Sequence, residues 1–140
     1  MLGVVDKLVV LLENYRVLIY SGQYDIILGP PLTEQALHKI QWSGQEQYLK
    51  TPKKVWQIPV PSSPTQTTIE KERKLRLRAS ITGTSDDLLS DDDVLDVAGY
   101  YRTVGNFTQV VVRGAGHMVP GDQPVRALDM IKRFVQGKGF

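Results

Sequence analysis

A strand that opens directly into a histidine loop restricts most strongly how this chain can fold. The run Thr108–Arg113 is rich in β-branched residues, which predicts a buried strand. It is followed by Gly114-Ala115-Gly116-His117-Met118-Val119-Pro120, where small residues allow a tight turn and the proline stiffens the exit. We therefore expect the strand to present His117 as a general base, a metal ligand or a pH sensor, with a hydrogen-bonded loop histidine as the alternative.

A second predicted strand leads to an acidic residue. The apolar run Arg16–Tyr20 continues into Ser21-Gly22-Gln23-Tyr24-Asp25. In open α/β sheets, sites form at the carboxyl ends of the strands. We therefore expect Asp25 and His117 to pair, with the carboxylate orienting the imidazole through Nδ1. The two residues are far apart in the chain, so only the fold can bring them together.

Three segments carry a family pattern: Val17–Ile27, Val97–Tyr100, and Gly114–Pro120 with its trailing Asp122-Gln123-Pro124. Together they resemble the carboxyl-terminal third of a serine carboxypeptidase, most closely the vitellogenic carboxypeptidase-like branch. The resemblance runs from about Val4 to Phe140, apart from a central insert. It implies an α/β fold: the C-terminal part of an α/β-hydrolase, with a few mostly parallel strands, flanking helices and an incomplete sheet.

The same resemblance implies roles for individual residues. Asp25 matches the triad acid, His117 matches the triad base, and Met118 matches a residue that lines the pocket of the departing amino acid. The implied activity is hydrolysis of the C-terminal residues of peptides and proteins, without a cofactor, by a secreted or lysosomal parent protein. Asn106-Phe107-Thr108 is an N-x-T glycosylation acceptor, which agrees with a secretory parent.

The nucleophile of such a triad is not found among the serines of this chain. None of them lies in a G-x-S-x-G elbow, and the order Ser, acid, His would place the elbow upstream of Met1. We therefore expect the chain to need the missing N-terminal portion of the hydrolase domain and to be inactive alone. The alternative is a non-catalytic fragment that binds a partner through its exposed sheet edge.

Composition and patterning divide the chain into three parts. Residues 1–58 form a helix-strand-helix unit that carries the acid. Residues 59–93 form a low-complexity charged insert, predicted to be disordered. Residues 94–140 form a hairpin, the histidine loop and a C-terminal helix of the same domain. The net charge of +2 and the aspartates near the basic block Lys71–Arg78 argue against nucleic-acid binding, and the absence of cysteine excludes disulfides.

Three helices are predicted from apolar periodicity. The first packs on the sheet and is too short to span a membrane; no signal peptide is expected, and a membrane-surface helix is the alternative. Its inward residues are predicted to be Val4, Val5, Leu8, Leu11, Leu12 and Tyr15. The second covers Leu32–Ile40, with Leu32, Ala36, Leu37 and Ile40 inward. The third covers Pro124–Gln136, with Val125, Leu128, Ile131, Phe134 and Val135 inward and Arg126, Asp129, Lys132 and Arg133 outward.

Overall fold

The computed structural model describes residues 3–59 and 95–140. The elements follow the order α1 (Val4–Asn14), β1 (Val17–Gly22), α2 (Pro30–Lys39), α3 (Gln45–Lys50), β2 (Lys54–Pro59), β3 (Leu95–Val104), β4 (Phe107–Val112), α4 (Val119–Asp122) and α5 (Pro124–Gln136). Two units are present, residues 1–58 with 97–140, and residues 59–96. Apart from Pro59, which ends β2, the insert predicted at residues 59–93 lies outside the described residues.

The four strands form one sheet in the order β1-β4-β3-β2. β1 and β4 are parallel, in a register that pairs Val17 with Phe107 and Gly22 with Val112. β3 runs antiparallel to β4 because the two-residue turn at Gly105 and Asn106 reverses the chain, with Gly105 at a φ of +53°. The α/β class is confirmed. The strands are mixed in direction, so the expectation of mostly parallel strands holds for the β1 and β4 pair and not for the hairpin.

Helices cover both faces of this sheet. On one face, α1, α2 and α3 pack over a cluster that contains Leu12, Leu37, Tyr48 and Phe107. On the other face, α5 packs over a cluster that contains Trp56, Val110, Val112 and Met130. Every residue of β4 is buried, which agrees with its content of apolar and β-branched residues. No helix within the described ranges is long and apolar enough to cross a bilayer.

The predicted inner faces of α1 and α2 are broader than the observed ones. In α1, Leu12 is buried and Leu8 and Val9 pack beside it, whereas Val4, Val5, Leu11 and Tyr15 are exposed. In α2, Leu37 is buried, whereas Leu32 and Ala36 are exposed. Each helix contacts the sheet along a narrow stripe, so apolar residues at the margins of the predicted face remain outside the core.

The predicted inner face of α5 is wrong. Its buried residues are Ala127 and Met130, while four of the five residues expected to face inward are exposed by 43–69%: Val125, Leu128, Ile131 and Val135. Asp129 instead turns toward β2, where its carboxylate accepts the indole N–H of the fully buried Trp56 at 2.9 Å. A buried indole N–H requires a hydrogen-bond partner, so this contact favours the observed rotation of the helix.

Candidate active site

Asp25 is held in a fixed turn directly beyond β1. The backbone remains bonded to the neighbouring strand, since Gln23 N–H donates to Val112 O at 2.9 Å and Tyr24 N–H donates to Ala115 O at 2.8 Å. Oδ1 of Asp25 then accepts the N–H groups of Ile27 at 2.9 Å and Leu28 at 3.0 Å. The carboxylate is therefore oriented by its own loop, and its side chain is only 5% exposed.

These contacts favour the ionised form of Asp25. The hydrogen bond from Leu28 N–H lowers the pKa of the Asp25 carboxyl below its usual range, and the His117 ring and Ile27 N–H act in the same direction against the cost of burial. Asp25 is thus an anion with one oxygen occupied by backbone donors. Its second oxygen, Oδ2, remains for a side-chain partner.

That partner is His117. Its Nδ1 lies 2.9 Å from Oδ2 of Asp25, so the two residues that the sequence predicted to pair are in hydrogen-bond contact. A neutral imidazole that donates from Nδ1 carries its lone pair on Nε2, at the opposite edge of the ring. The imidazole is half exposed. This arrangement leaves Nε2 as the atom that can exchange a proton with another group.

The histidine loop lies directly against the end of β1. A Cβ added to Gly22 would lie 2.0 Å from the carbonyl oxygen of Gly116 and 2.5 Å from that of Ala115. Only glycine permits this approach of two backbones. Sequence reasoning did not identify Gly22 as part of the site, although a glycine between a strand and an acidic turn is the kind of signal that marks close packing.

Exposed apolar side chains follow each member of the pair in the sequence. Met118 follows His117 and is 68% exposed, and Ile26, Ile27 and Leu28 follow Asp25 and are 59–95% exposed. Asn106 is not part of this site, because it lies exposed in the turn before β4, at the opposite end of β1 from Asp25. A cleft of about 310 Å³ lies at that same distant end, lined by Asn106, Arg16, Tyr101 and Phe140 among others.

A buried polar network ties α2 and α3 to the sheet. Arg102 donates to the carbonyl oxygen of Tyr48 at 3.2 Å and to Oε1 of Glu34 at 3.1 Å, and its guanidinium lies over the Tyr48 ring. Burial raises the pKa of the Tyr48 hydroxyl to about 12. His38 is 44% exposed beside Glu34. Sequence patterning did not reveal this network because its members come from three separate elements.

No metal-binding cluster is present in the part of the chain that the structure describes. Within residues 3–59 and 95–140, no group of three or more His, Cys, Asp or Glu side chains is placed to hold a metal ion. The pair of Asp25 and His117 offers proton transfer by an oriented imidazole beside a carboxylate.

Comparison with known proteins gives consistent matches. The family model described as serine carboxypeptidase matches residues 3–137. Among curated relatives, a human protein named probable serine carboxypeptidase CPVL is 41% identical over 93% of this chain, and a venom serine carboxypeptidase of Apis mellifera is also 41% identical over 93%. The vitellogenic carboxypeptidase of Aedes aegypti is 31% identical over 89%. The chain spans 19–21% of the length of these three relatives.

Proposed function

Because the chain belongs to the serine carboxypeptidase family, we propose that it is the acid and base part of a serine-type carboxypeptidase site. In this proposal, Asp25 and His117 act with a serine nucleophile that the 140 residues do not contain in an elbow frame. The observation that carries the proposal is the 2.9 Å contact between His117 Nδ1 and Asp25 Oδ2. The substrates are the C-termini of peptides and proteins.

His117 moves the proton, and Asp25 orients the imidazole ring of His117. Nε2 takes the proton of the serine hydroxyl as its oxygen bonds to the carbonyl carbon of the terminal peptide bond. The same proton passes to the leaving nitrogen, so the terminal amino acid departs and an acyl-serine remains. A water then gives a proton to Nε2 as it attacks the acyl carbon, and the serine oxygen recovers that proton as the shortened peptide leaves. Asp25 stabilises the imidazolium formed in each half.

Met118 and Asn106 have separate roles in the proposal. Met118 lines the pocket of the departing amino acid, which its exposure and its place next to His117 support. Asn106 is a glycan acceptor of a secreted or lysosomal protein, which its exposure in a turn supports. We expect the chain alone to be inactive, because none of its serines lies in a G-x-S-x-G elbow.

The test uses a chimaeric enzyme in which residues 3–137 of this chain replace the matched segment of the human relative. We expect it to release the C-terminal residue of an N-blocked dipeptide, and we expect the isolated chain to show no turnover and no labelling by a serine-directed phosphonate. His117→Ala and Asp25→Asn should lower kcat, the latter by about 10⁴-fold as in other triads.

His38→Ala is the matched control, since His38 is the other histidine of the chain and lies outside the pair. The chimaeric enzyme should keep its kcat within about twofold in this variant, because a surface substitution away from the site has little effect. Hydrolysis that survives His117→Ala would refute the assignment of the base.

A second candidate function is a non-catalytic module that binds the upstream part of a carboxypeptidase domain. Within the described ranges, β1 has a neighbouring strand on one side only, so its other edge can pair with a strand of a partner. Asp129 and Arg133 of α5 contact β2, so the exposed stripe of Val125, Leu128, Ile131 and Val135 points away from β2. An apolar stripe of this kind favours a partner surface.

The two functions differ in what His117 does once the partner is bound. The separately produced upstream part of the human relative should co-purify with the chain, and Leu128→Glu should weaken the complex, whereas Lys7→Glu, an exposed change on α1, should not. Restored hydrolysis that requires His117 supports the enzyme. If the unaltered chain and its His117→Ala variant bind the upstream part equally well and neither complex shows hydrolysis, the binding module is supported instead.

A further inference from the structure

The position of the His117 ring depends on its backbone. The imidazole is half exposed and is bonded to one described side chain, Asp25. A ring in this situation has freedom to turn away unless the loop that carries it is rigid. The position of the ring therefore depends on the groups that hold residues 114–118.

The loop is held from two sides. On the strand side, Ala115 O accepts Tyr24 N–H at 2.8 Å, and Gly114 N–H donates to the side-chain oxygen of Gln23 at 3.2 Å. On the helix side, Gly116 N–H donates to Oδ2 of Asp122 at 2.7 Å, and Gln123 Nε2 donates to Gly114 O at 3.0 Å. The residue immediately before His117 is thus bonded to a carboxylate.

We propose that Asp122 is a positioning residue for His117. Its carboxylate accepts the N–H of Gly116 and so fixes the peptide unit between Ala115 and Gly116, one residue before the histidine. Hydrogen bonds to an ionised acceptor are shorter and roughly twice as strong as neutral ones. Asp122 does not contact the reacting atoms, and its effect passes through the backbone of Gly116 to the ring. The catalytic consequence rests on the proposed function, whereas the structural consequence does not.

The geometry explains why this short segment combines glycine and aspartate. A Cβ added to Gly116 would lie 3.2 Å from Oδ2 of Asp122, a tight contact that would shift the carboxylate by a few tenths of an ångström. Gly121 and Asp122 both donate their N–H groups to Met118 O, at 2.9 and 3.0 Å. The turn that follows His117 therefore returns the carboxylate to the residue that precedes it.

The structural test uses NMR of the 140-residue chain. The protein contains two histidines, so His38→Gln assigns the low-field Nδ1 proton of His117, the proton held against Asp25. Asp122→Ala should abolish this signal and speed exchange of the Gly116 amide. Asp122→Asn keeps an oxygen acceptor, so it should retain the Nδ1 proton signal and the slow exchange of the Gly116 amide. Asp6→Ala is the matched control, because Asp6 likewise accepts a glycine N–H, that of Gly3 at 2.9 Å, but in the first turn of α1.

The outcomes separate a positioning role from a folding role. A signal that persists in Asp122→Ala, or that is lost equally in Asp122→Asn, would overturn the proposal. Asp122→Ser serves as a second truncation if the alanine variant does not fold. Asp122 is exposed, so failure of both truncations to fold would also count against the proposal, since it would make the residue a determinant of folding.

The kinetic test uses the chimaeric enzyme. Asp122→Ala should lower kcat by ten- to about a hundredfold with KM little changed, because misplacement of a catalytic group by about 1 Å has an effect of this size. Asp122→Asn should recover most of kcat. If the chimaera carrying the unaltered segment has no activity, the proposed function fails, while the NMR result still decides the positioning role. Full kcat in Asp122→Ala would refute the positioning role alone.

Discussion

Replacing Gly22 by alanine should separate His117 from Asp25 without touching either residue. The added Cβ would lie 2.0 Å from Gly116 O, whereas ordinary contacts begin at 3.4 Å, so one of the two backbones must move by about 1.4 Å. Gly22 is held in the ladder between β1 and β4, opposite Val112, so we expect the histidine loop to be the part that moves. A displacement of that size lengthens the 2.9 Å contact between His117 Nδ1 and Asp25 Oδ2 beyond hydrogen-bond range.

The magnitude of the effect follows from this displacement. Overpacking of a tight site costs about 1–3 kcal/mol, and here the upper part of the range applies because the clashing atoms belong to the backbone. In the chimaeric enzyme, a shift of about 1 Å at a catalytic group lowers kcat by about a hundredfold. The free energy of unfolding is measured by urea titration of the 140-residue chain, and the contact is monitored through the low-field Nδ1 proton of His117.

Gly121→Ala is the matched control for this substitution. Gly121 lies in the same segment, but its added Cβ would meet Met118 Cβ at 3.9 Å, an ordinary contact. This variant should keep both the Nδ1 signal and kcat. If Gly22→Ala also keeps the signal and loses less than about twofold in kcat, the reasoning that links Gly22 to the loop position is wrong.

Three further predictions concern the core, the acid and the surface. Trp56→Phe should lower the free energy of unfolding by about 2–4 kcal/mol, because it removes buried volume and the 2.9 Å bond to Asp129; Trp42→Phe, at a half-buried position, should cost less in the same urea titration. The carboxyl carbon of Asp25, followed by NMR, should titrate below the ordinary value of 3.8. Since this pKa is lowered in the folded state, the stabilisation by Asp25 should be complete above pH 3.8 and be lost as the pH falls through the folded value; Asp25→Asn should abolish that dependence, and an unchanged pH profile would contradict it. Leu128→Glu should change the free energy of unfolding of the chain by no more than about 0.5 kcal/mol, because Leu128 is 56% exposed, and a loss of several kcal/mol would show that the side chain is packed.

Local sequence signals predicted most of the elements near the site. The β-branched run became β4, the hairpin predicted within residues 94–140 is formed by β3 and β4, and the helix predicted over Pro124–Gln136 has those bounds. Each of these signals is local: a glycine allows the positive φ of a turn, a proline fits the first turn of a helix, and a run of apolar residues suits a fully buried strand. The position of both residues at strand ends added the expectation that Asp25 and His117 pair, and the family resemblance added their roles as triad acid and base.

The sequence by itself determined which residues share a face of an element, because the periods of helix and strand are properties of the backbone. It did not determine which face is buried. Trp56 and Asp129 come from separate elements, and their hydrogen bond favours an α5 whose apolar stripe points outward. The contact between Asp25 and His117 likewise depended on the tertiary structure, because the parallel register of β1 and β4 places the ends of both strands at one edge of the sheet.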